Sequence, residues 1–406
     1  MSSTPSSPGP RPGGVPGPSS PGPSTAPSAP GPLAGIVVAD FSRVLAGPLA
    51  TMTLADLGAD VVKVESPAGD DTRTWGPPYA DGQSTYFQSV NRNKRSIALN
   101  LRDPADHAVA LRLIDRADVM VENFKPGTLE RFGLGWEELH RRNPRLVLAS
   151  ITGFGTGPGA EMPGYDLLAQ AVGGLMSITG PAGGEPTKVG VALVDVLAGL
   201  WSSVGILAAL RERDRSGAGH RIEVCLLDAL LASLVNQASA HLLSGAVPHA
   251  MGNRHPSIAP YATYACADGP LVVAVGNDRQ FRALCGELGD ADLADDPRFA
   301  SNPERVANHD ALSEELERLL AAADRATWTQ RITAVGVPCG PVHDLAEAFA
   351  FADRMQTAGT VALPGRAAGR RLPACPIVID GATAPAHLAP PDLDEHGEEV
   401  RAWLAT

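Results

Sequence analysis

The sequence predicts an α/β protein with a mainly parallel sheet, followed by a smaller α+β domain. Three observations support this fold class. Short segments rich in Val and Ile alternate with helical patterns over the first half of the chain, which is typical of βαβ units. A long segment with a single ionisable residue, Val189–Leu210, has the length of a buried helix. After residue 228, a hairpin pattern is followed by consecutive helices, which indicates a second type of domain.

The strands of the first domain are short and apolar, and helical segments separate them. One helix is predicted from Pro48 to Leu57-Gly58 and another from Asp103-Pro104 to Ala117, because Pro suits a first turn and Gly ends helices. The predicted strands are Ile36–Asp40, Asp60–Glu65, Ser96–Asn100, Asp118–Asn123, Arg145–Ile151 and His220–Asp228. Ligands gather at the carboxyl ends of parallel strands. The corresponding loops are Phe41–Gly47, Asn123–Gly127 and Thr152–Gly159.

Four regions are predicted along the chain. Residues 1–32 are almost entirely Ser, Pro, Gly, Ala and Thr, which predicts a disordered tail because a core needs large apolar side chains. Residues 33–228 form the large domain and residues 229–344 the smaller one. The Pro-rich residues 345–406 are predicted to return to the large domain.

The smaller domain begins with a predicted helix over Ala229–Leu243. A hairpin follows over Tyr261–Val275, turning at Asp268-Gly269. The later helical patterns cover Asp278–Leu288, Asp310–Ala323 and Arg325–Val335.

The composition narrows the possible partners. A net charge of −12 disfavours nucleic acid and anionic membranes, so an anionic ligand needs a local basic patch. The five cysteines are an odd number without a CxxC pair, which favours reduced thiols. No basic-then-apolar leader opens the sequence, and a cytoplasmic location is expected.

No short motif names a chemistry. The segment GFGTGPG (Gly153–Gly159) lacks GxGxxG spacing, and there is no GK[ST] phosphate loop, GxSxG elbow or HExxH. The histidines do not cluster at metal-ligand spacing. Neither a metal nor a permanently bound cofactor is therefore expected.

Asp195 is the one ionisable residue within Val189–Leu210. A membrane span is disfavoured, since a charge in its middle costs free energy. After an extended Val189–Val194, Asp195 is predicted as the N-cap of a buried helix ending near Arg211–Arg213. The helix dipole would keep such a carboxylate ionised and able to meet a ligand. The pattern does not decide whether Asp195 is only a helix cap or also a nucleophile.

Three further features have both a functional and a plain structural interpretation. The basic segment Asn91–Ser96, with Arg102, suits a polyphosphate or is a solvated loop. In Pro163–Asp166, Tyr165 and Asp166 lie at a predicted helix start, where Asp166 also suits an N-cap. The loop Gly252–Pro256 has polar tips and is a ligand loop or a plain connection.

Taken in order, the segments of this chain resemble the class III CoA-transferase family, which includes formyl-CoA transferase and L-carnitine CoA-transferase. The matching segments include DFSRVLAGPLATMTLADLGADVVKVE, YFQSVNRNKRSIALNL, DVMVENFKPGTLERFGLG, PGYDLLAQAVGGLMSITG and VGVALVDVLAGL. The resemblance covers about residues 33–400. It implies a Rossmann-like large domain built from both chain ends, a small domain between them, and two subunits threaded through each other as an interlocked homodimer.

Carried over residue by residue, the family's acyl-accepting aspartate falls on Asp195. Ser66 and Pro163 stand where formyl-CoA transferases have Arg and Lys, so some CoA contacts must differ. The CoA-contacting positions implied by the resemblance are Leu45, Ala46, Leu99, Asn100, Arg102, Asn123, Phe124, Lys125, Arg131 and Tyr165.

The implied reaction moves CoA from an acyl-CoA thioester to a free carboxylic acid through an aspartyl anhydride and an aspartyl-CoA thioester. Gly252, Asn253, Arg254 and His255 replace the family's glycine-rich lid, so formate/oxalate exchange is not expected. Transfer from succinyl-CoA to another dicarboxylate is expected instead, with Arg254 or His255 pairing with a distal carboxylate.

Two alternatives stay open. The first is removal of an α-proton, as in the related α-methylacyl-CoA racemases. Those enzymes have a His at the position of Tyr165, and the phenol of a tyrosine is a poor base at neutral pH. A non-catalytic CoA-binding protein would also keep a capping aspartate.

Overall fold

The computed structural model describes residues 31–406, so most of the predicted tail lies outside the described residues. In chain order, the first half contains β1 (Val37–Asp40), α1 (Ala46–Asp56), β2 (Asp60–Glu65), β3 (Tyr79–Ala80), β4 (Gln83–Ser84), α2 (Thr85–Ser89), β5 (Lys94–Ala98), α3 (Pro104–Arg116), β6 (Val119–Glu122), α4 (Thr128–Arg131), α5 (Trp136–Arg142) and β7 (Val147–Thr152).

The second half begins with the central helices and continues into the smaller domain. Its elements are α6 (Asp166–Val172), α7 (Leu193–Ser216), β8 (Arg221–Cys225), α8 (Leu226–Ser233), α9 (Val235–Ser244), β9 (Tyr261–Cys266), β10 (Gly269–Ala274), α10 (Asp278–Leu288), α11 (Asn302–Ala307), α12 (His309–Leu320), α13 (Arg325–Ala334), β11 (Cys339–Pro341), α14 (Leu345–Arg354), β12 (Thr360–Ala362), β13 (Arg371–Pro373), β14 (Val378–Ile379), β15 (Ala382–Thr383) and α15 (Gly397–Ala405).

The large sheet has six parallel strands in the order β5-β2-β1-β6-β7-β8. Val38 of β1 pairs with Val61 of β2 on one side and with Val119 of β6 on the other. Apolar clusters cover both faces, which explains why these strands are apolar throughout. The strand order reverses between β1 and β6, and α/β sheets of this type bind ligands in the crevice outside such a point.

Helix α7 packs against α1, β7 and β8. A Cβ atom on Gly199 would lie 2.6 Å from the carbonyl oxygen of Ala46, so glycine allows α7 and α1 to approach closely. The helix is long and apolar enough to cross a membrane, and the bent pair α8–α9 also meets that test. The contacts of α7 with the sheet are those of a core helix in a globular domain. They bring the first turn of α7 beside the start of α1.

Several predicted boundaries were wrong. Helix α7 begins at Leu193 and ends at Ser216, so Val189–Val194 is not a strand and Asp195 is not an N-cap. Strand β5 starts two residues before the predicted Ser96. The predicted strand to Asp228 ends at Cys225, because the apolar residues that follow form α8 against α7.

The hairpin of the smaller domain also turns one residue earlier than predicted. Cys266 pairs with Gly269, which leaves Ala267 and Asp268 as the turn. The hairpin and helices α10 to α13 share an apolar core of their own, separate from the two clusters on the large sheet. The exact division at residues 228 and 344 stays a prediction.

The C-terminal residues lie against the large sheet. Helix α15 packs on α3 and β5, and Glu399 pairs with Arg95 at 3.0 Å. The Asn93 side chain donates to the carbonyl of Pro385 and accepts from the backbone N–H groups of His387 and Leu388.

The basic segment Asn91–Ser96 is neither a polyphosphate patch nor a solvated loop. Each of its six residues is at most 2% exposed. Its cations are paired with carboxylates from other elements: Arg92 with Asp56, Lys94 with Asp40, and Arg95 with Asp60. Burial removes these charges from any soluble ligand. The segment instead joins α1, the sheet and the C-terminal residues.

Candidate active site

Two cavities meet at Asp195, outside the carboxyl ends of β1 and β6. The main cavity, of about 330 Å³, is lined by the three loops predicted to gather ligands, by Gly159–Tyr165 and by Asp195. The side cavity, of about 250 Å³, lies against the segment that leads into α7. Four residues line both cavities and form their shared wall: Val44, Trp75, Tyr165 and Asp195.

A far cavity of about 410 Å³ adjoins the main cavity. Arg43, Asp71 and Phe124 line both. The far cavity extends over the carboxyl ends of β2 and β5. The main and far cavities are therefore neighbours, and the Asp195 carboxylate lines the main cavity but not the far one.

Asp166, and not Asp195, caps helix α7. The Asp166 Oδ1 atom accepts from the backbone N–H groups of Val194 at 2.7 Å and Asp195 at 3.2 Å. Its Oδ2 atom accepts from the Gln170 side chain at 2.6 Å. Asp166 was predicted to cap its own helix, but α6 has Tyr165 at the N-cap position without a side-chain bond. Because this cap comes from another helix, Asp195 keeps its carboxylate free.

The Asp195 carboxylate is half-buried and accepts no hydrogen bond from the described part of the chain. Burial, followed by the nearby charge of Asp166, raises the pKa of Asp195 to about 7. At neutral pH the group is therefore only about half ionised, less than the sequence led us to expect, because desolvation and the like charge of Asp166 favour its protonated form. The ionised half is more basic, and therefore more nucleophilic, than the carboxylate of an ordinary aspartate.

We expect the pH dependence of the reaction to follow this ionisation. With a pKa of about 7, the ionised fraction rises about tenfold between pH 6 and pH 8. The rate of Asp195 acylation, measured by single-turnover mixing with an acyl-CoA, should rise by that factor. Asp166→Asn keeps a capping oxygen but removes the charge, so it should move the midpoint to lower pH. A flat profile from pH 6 to 8 in the parent enzyme would contradict this assignment.

The raised pKa of Asp195 also determines how its contribution to folding stability changes with pH. Folding raises the pKa of Asp195 above its unfolded value of 3.8, so the folded chain binds an extra proton between about pH 4 and 7. Its contribution to stability is fully present below pH 4 and is lost as pH rises through 7.

The loop Ser42–Leu45 is fixed from both sides. Val44 has a left-handed backbone, with φ of 69°, which is strained for a β-branched residue. The Asp70 carboxylate accepts from the Val44 N–H at 3.2 Å, and the Lys63 ammonium donates to Asp70 and to the Ser42 carbonyl, each at 3.0 Å. These contacts hold Val44 in the shared wall.

Asn123 supports the same loop from β6. Its side chain donates to the Arg43 carbonyl at 2.7 Å and accepts from the Arg43 N–H at 2.9 Å. Leu45 and Ala46 follow, at the N-terminus of α1, and both line the main cavity. The N–H groups of a first helical turn have no partner within the helix, so this end of α1 can donate to a ligand.

The predicted site residues fall into three groups. Those lining the main cavity are Leu45, Ala46, Asn123, Phe124, Lys125, Pro163, Tyr165 and Asp195. Those lining the far cavity are Ser66, Leu99, Asn100, Arg102 and Phe124. Arg131 is exposed, bonds to Thr128 and lines none of the three cavities. Their individual contacts with CoA stay predictions.

The predicted lid residues line none of the three cavities. The Gly252 N–H donates to the Gly180 carbonyl at 2.9 Å, and the Asn253 side chain donates to Thr263 at 2.7 Å. Arg254 forms an ion pair with Asp310 of α12. The His255 N–H donates to the Tyr261 carbonyl at 3.2 Å. The lid role stays a prediction.

Sequence reasoning singled out Tyr165, Asp166 and Asp195 but missed other residues that line the side cavity. Trp75 and Tyr86 make an edge-to-face contact with ring centroids 5.3 Å apart. Burial and the charges of Asp195 and Asp166 raise the pKa of Tyr86 to about 12, so its phenol stays protonated. Lys188 also lines this cavity.

Lys63 carried a signal that was overlooked, since a lysine inside the apolar strand β2 needs a buried partner.

The described geometry agrees with the result of a family comparison. The model of CoA-transferase family III matches residues 33–397, nearly the whole chain. The chain belongs to CoA-transferase family III.

Several CoA-transferases are similar to this chain over most of their length. An acetyl-CoA:oxalate CoA-transferase from Acetobacter aceti is 45% identical, over 92% of this chain and 96% of that protein. A succinate–glutarate CoA-transferase from Agrobacterium fabrum is 43% identical over the same shares. The two relatives are about equally similar to this chain, so the comparison does not decide whether oxalate or glutarate is the acceptor. The expectation that formate/oxalate exchange is absent stays a prediction.

A family III fold is also seen in a solved structure. A CAIB/BAIF family protein from Brucella suis has a TM-score of 0.84 and 44% identity, covering 92% of this chain and 99% of that one. The mixed α/β fold with its six-stranded parallel sheet is thus similar to that of a CAIB/BAIF family protein. CoA-transferase activity on acyl-CoA thioesters follows from membership of family III.

Proposed function

We propose that this transferase moves CoA from an acyl-CoA to a dicarboxylic acid, with Asp195 as the covalent carrier. The observation that carries the proposal is the placement of a half-buried carboxylate, without a hydrogen-bond partner among residues 31–406, in the wall shared by two cavities. A CoA thioester entering from the main cavity and an acid entering from the side cavity both reach this carboxylate.

The first half-reaction transfers CoA to the enzyme. A carboxylate oxygen of Asp195 attacks the thioester carbonyl, the carbon–sulfur bond breaks, and CoA leaves as a thiolate. The product is a mixed anhydride between Asp195 and the donor acyl group. The thiolate then attacks the aspartyl carbonyl, which releases the donor acid and leaves Asp195 as a CoA thioester.

The second half-reaction repeats these steps in reverse order with the acceptor. The acceptor carboxylate attacks the aspartyl thioester, forms a second anhydride and again displaces the thiolate. The thiolate attacks the acceptor acyl carbon, giving the new acyl-CoA and free Asp195. No proton is gained or lost in the complete cycle, so a paired general acid and base is not required.

The N-terminus of α1 suits the charge that develops in these steps. Each attack places negative charge on a carbonyl oxygen, and free backbone N–H groups stabilise such an oxyanion. Leu45 and Ala46 lie at this N-terminus and in the main cavity with Asp195. We assign the far cavity to the nucleotide part of CoA, with Arg102 toward its phosphates.

The acceptor is proposed to be a dicarboxylic acid. The relatives named above act on oxalate, or on succinate and glutarate, and another from Haloarcula marismortui, 41% identical, is a succinyl-CoA:mesaconate CoA-transferase. All of these acids carry two carboxylates. The predicted use of succinyl-CoA as donor is kept.

The interlocked homodimer is also kept as a proposal. Apolar side chains are exposed along α7 and α9, including Trp201 at 49%, Leu242 at 80% and Leu243 at 88%. No residue of α14 is buried within the described chain. Surfaces of this kind are covered in stable oligomers. Sedimentation velocity should give about twice the monomer mass of 42.1 kDa, and a monomer at micromolar concentration would contradict it.

Chemical trapping tests the carrier role. Hydroxylamine added with succinyl-CoA should inactivate the enzyme and convert Asp195 to its hydroxamate, which peptide mass spectrometry locates. Without an acyl-CoA, the same treatment should leave Asp195 unmodified. A hydroxamate on another residue would overturn the assignment. Loss of α-deuterium from a chiral acyl-CoA without any acceptor acid would indicate the racemase alternative.

A further inference from the structure

We infer that the side cavity holds the acyl part of the donor and then the acceptor acid, and that Lys188 pairs with the distal carboxylate of each. This inference rests on the proposed transfer function and names the residue that selects dicarboxylates. It assigns to Lys188 the role predicted from the sequence for Arg254 or His255.

The side cavity has the form of a small-acid site. One end is the Asp195 carboxylate, and the walls include Trp75, Tyr86 and Val191. At about 250 Å³ it suits a short acid rather than a CoA moiety. Apolar and aromatic walls bind the methylene groups between two carboxylates and exclude water from an anhydride.

Lys188 is the one basic residue among those that line this cavity. It is exposed, and its ammonium makes only a 3.3 Å bond to the carbonyl of the adjacent Val189 within the described residues. An ammonium without a carboxylate partner can pair with an anionic ligand at little cost. A carboxylate group at the far end of a bound acid is the complementary charge.

The two acidic residues of the cavity do not compete with such a ligand. Asp166 is occupied by two backbone N–H groups of α7 and by Gln170. Asp195 loses its charge while it carries an acyl or CoA group. During turnover, the distal carboxylate therefore meets the Lys188 ammonium and a neutral aspartyl group, while the charge of Asp166 is compensated by its three hydrogen-bond donors.

Three other candidate cations are already paired. Arg43 forms an ion pair with Asp71 at 2.8 Å, Lys125 with Glu161, and Arg254 with Asp310. Moreover, Arg43 and Lys125 line the main cavity and not the side cavity, and Arg254 lines neither. Charge and position together favour Lys188.

The test compares two acceptors that differ by one charge, glutarate and its monomethyl ester. In a ping-pong reaction, kcat/KM for the acceptor does not depend on the donor, so succinyl-CoA serves for both. The parent enzyme should prefer glutarate, and Lys188→Met should reduce that preference at least tenfold, mainly through KM for glutarate. Lys188→Arg should restore most of it.

Glu185→Gln is the matched control, because Glu185 is exposed in the same loop and lines none of the three cavities. It should leave the preference unchanged. An unchanged preference in Lys188→Met, or an equal loss with both acceptors, would overturn the role of Lys188. Absence of an Asp195 hydroxamate in the parent enzyme would instead overturn the proposed function, so the two failures are distinguishable.

Discussion

Asp195→Ala and Asp195→Asn are each expected to lower kcat at least about 10⁴-fold, because a covalent route loses its only carrier. Binding of CoA should change less than about threefold, since the far cavity and the N-terminus of α1 are untouched. Turnover is measured by mass spectrometry of acyl-CoA products, and CoA binding by calorimetry.

The Asn variant should also be more heat-stable than the parent at pH 8. There the parent buries an ionised carboxylate beside Asp166, and the amide removes that charge. At pH 5 the carboxyl is mostly protonated and the difference should shrink. Asp214→Asn, at the exposed far end of α7, is the control and should match the parent in both assays. Substantial turnover by either Asp195 variant would contradict the carrier role.

Lys63→Met is expected to lower the free energy of unfolding by about 3–5 kcal/mol, because it leaves a buried carboxylate without its cation. The side chains of Lys63 and Asp70 are 0% and 1% exposed. Activity should also fall, by about 10²-fold, since the Ser42 carbonyl loses its donor and the wall beside Asp195 shifts. Urea unfolding and steady-state kinetics measure the two effects.

A second variant separates charge from packing. Lys63→Met combined with Asp70→Asn removes both charges and should recover part of the lost stability, while the activity stays low. Arg141→Met is the control, because Arg141 and Glu138 form an exposed pair at 70% and 46%, and such pairs contribute less than about 1 kcal/mol. Equal losses in Lys63→Met and Arg141→Met would contradict a stabilising role for the buried pair of Lys63 and Asp70.

The local pattern predicted the elements of the sheet well. The bounds of β2 and α10 agree with the predicted Asp60–Glu65 and Asp278–Leu288. Periodicity succeeds in these cases because the side chains that define each element are contiguous. The three loops at the carboxyl ends of strands were likewise predicted to meet, and they do line one cavity.

What the pattern missed depends on partners distant in sequence. Asn91–Ser96 reads as a basic surface, because Asp56, Asp60 and Glu399 are not adjacent to it. The cap of α7 comes from Asp166, which precedes Asp195 by 29 positions. A free carboxylate and a capping carboxylate look alike in a sequence, and only the fold assigns each role.

The shared wall has a consequence for the order in which molecules come and go. Because Asp195 is reached from two sides, a spent acid can depart through the side cavity while the CoA moiety remains seated in the main and far cavities. On the proposed mechanism, the energy-rich thioester is thus retained between the half-reactions. The coenzyme therefore stays bound between the two half-reactions, and only the small acids exchange with the surrounding solution.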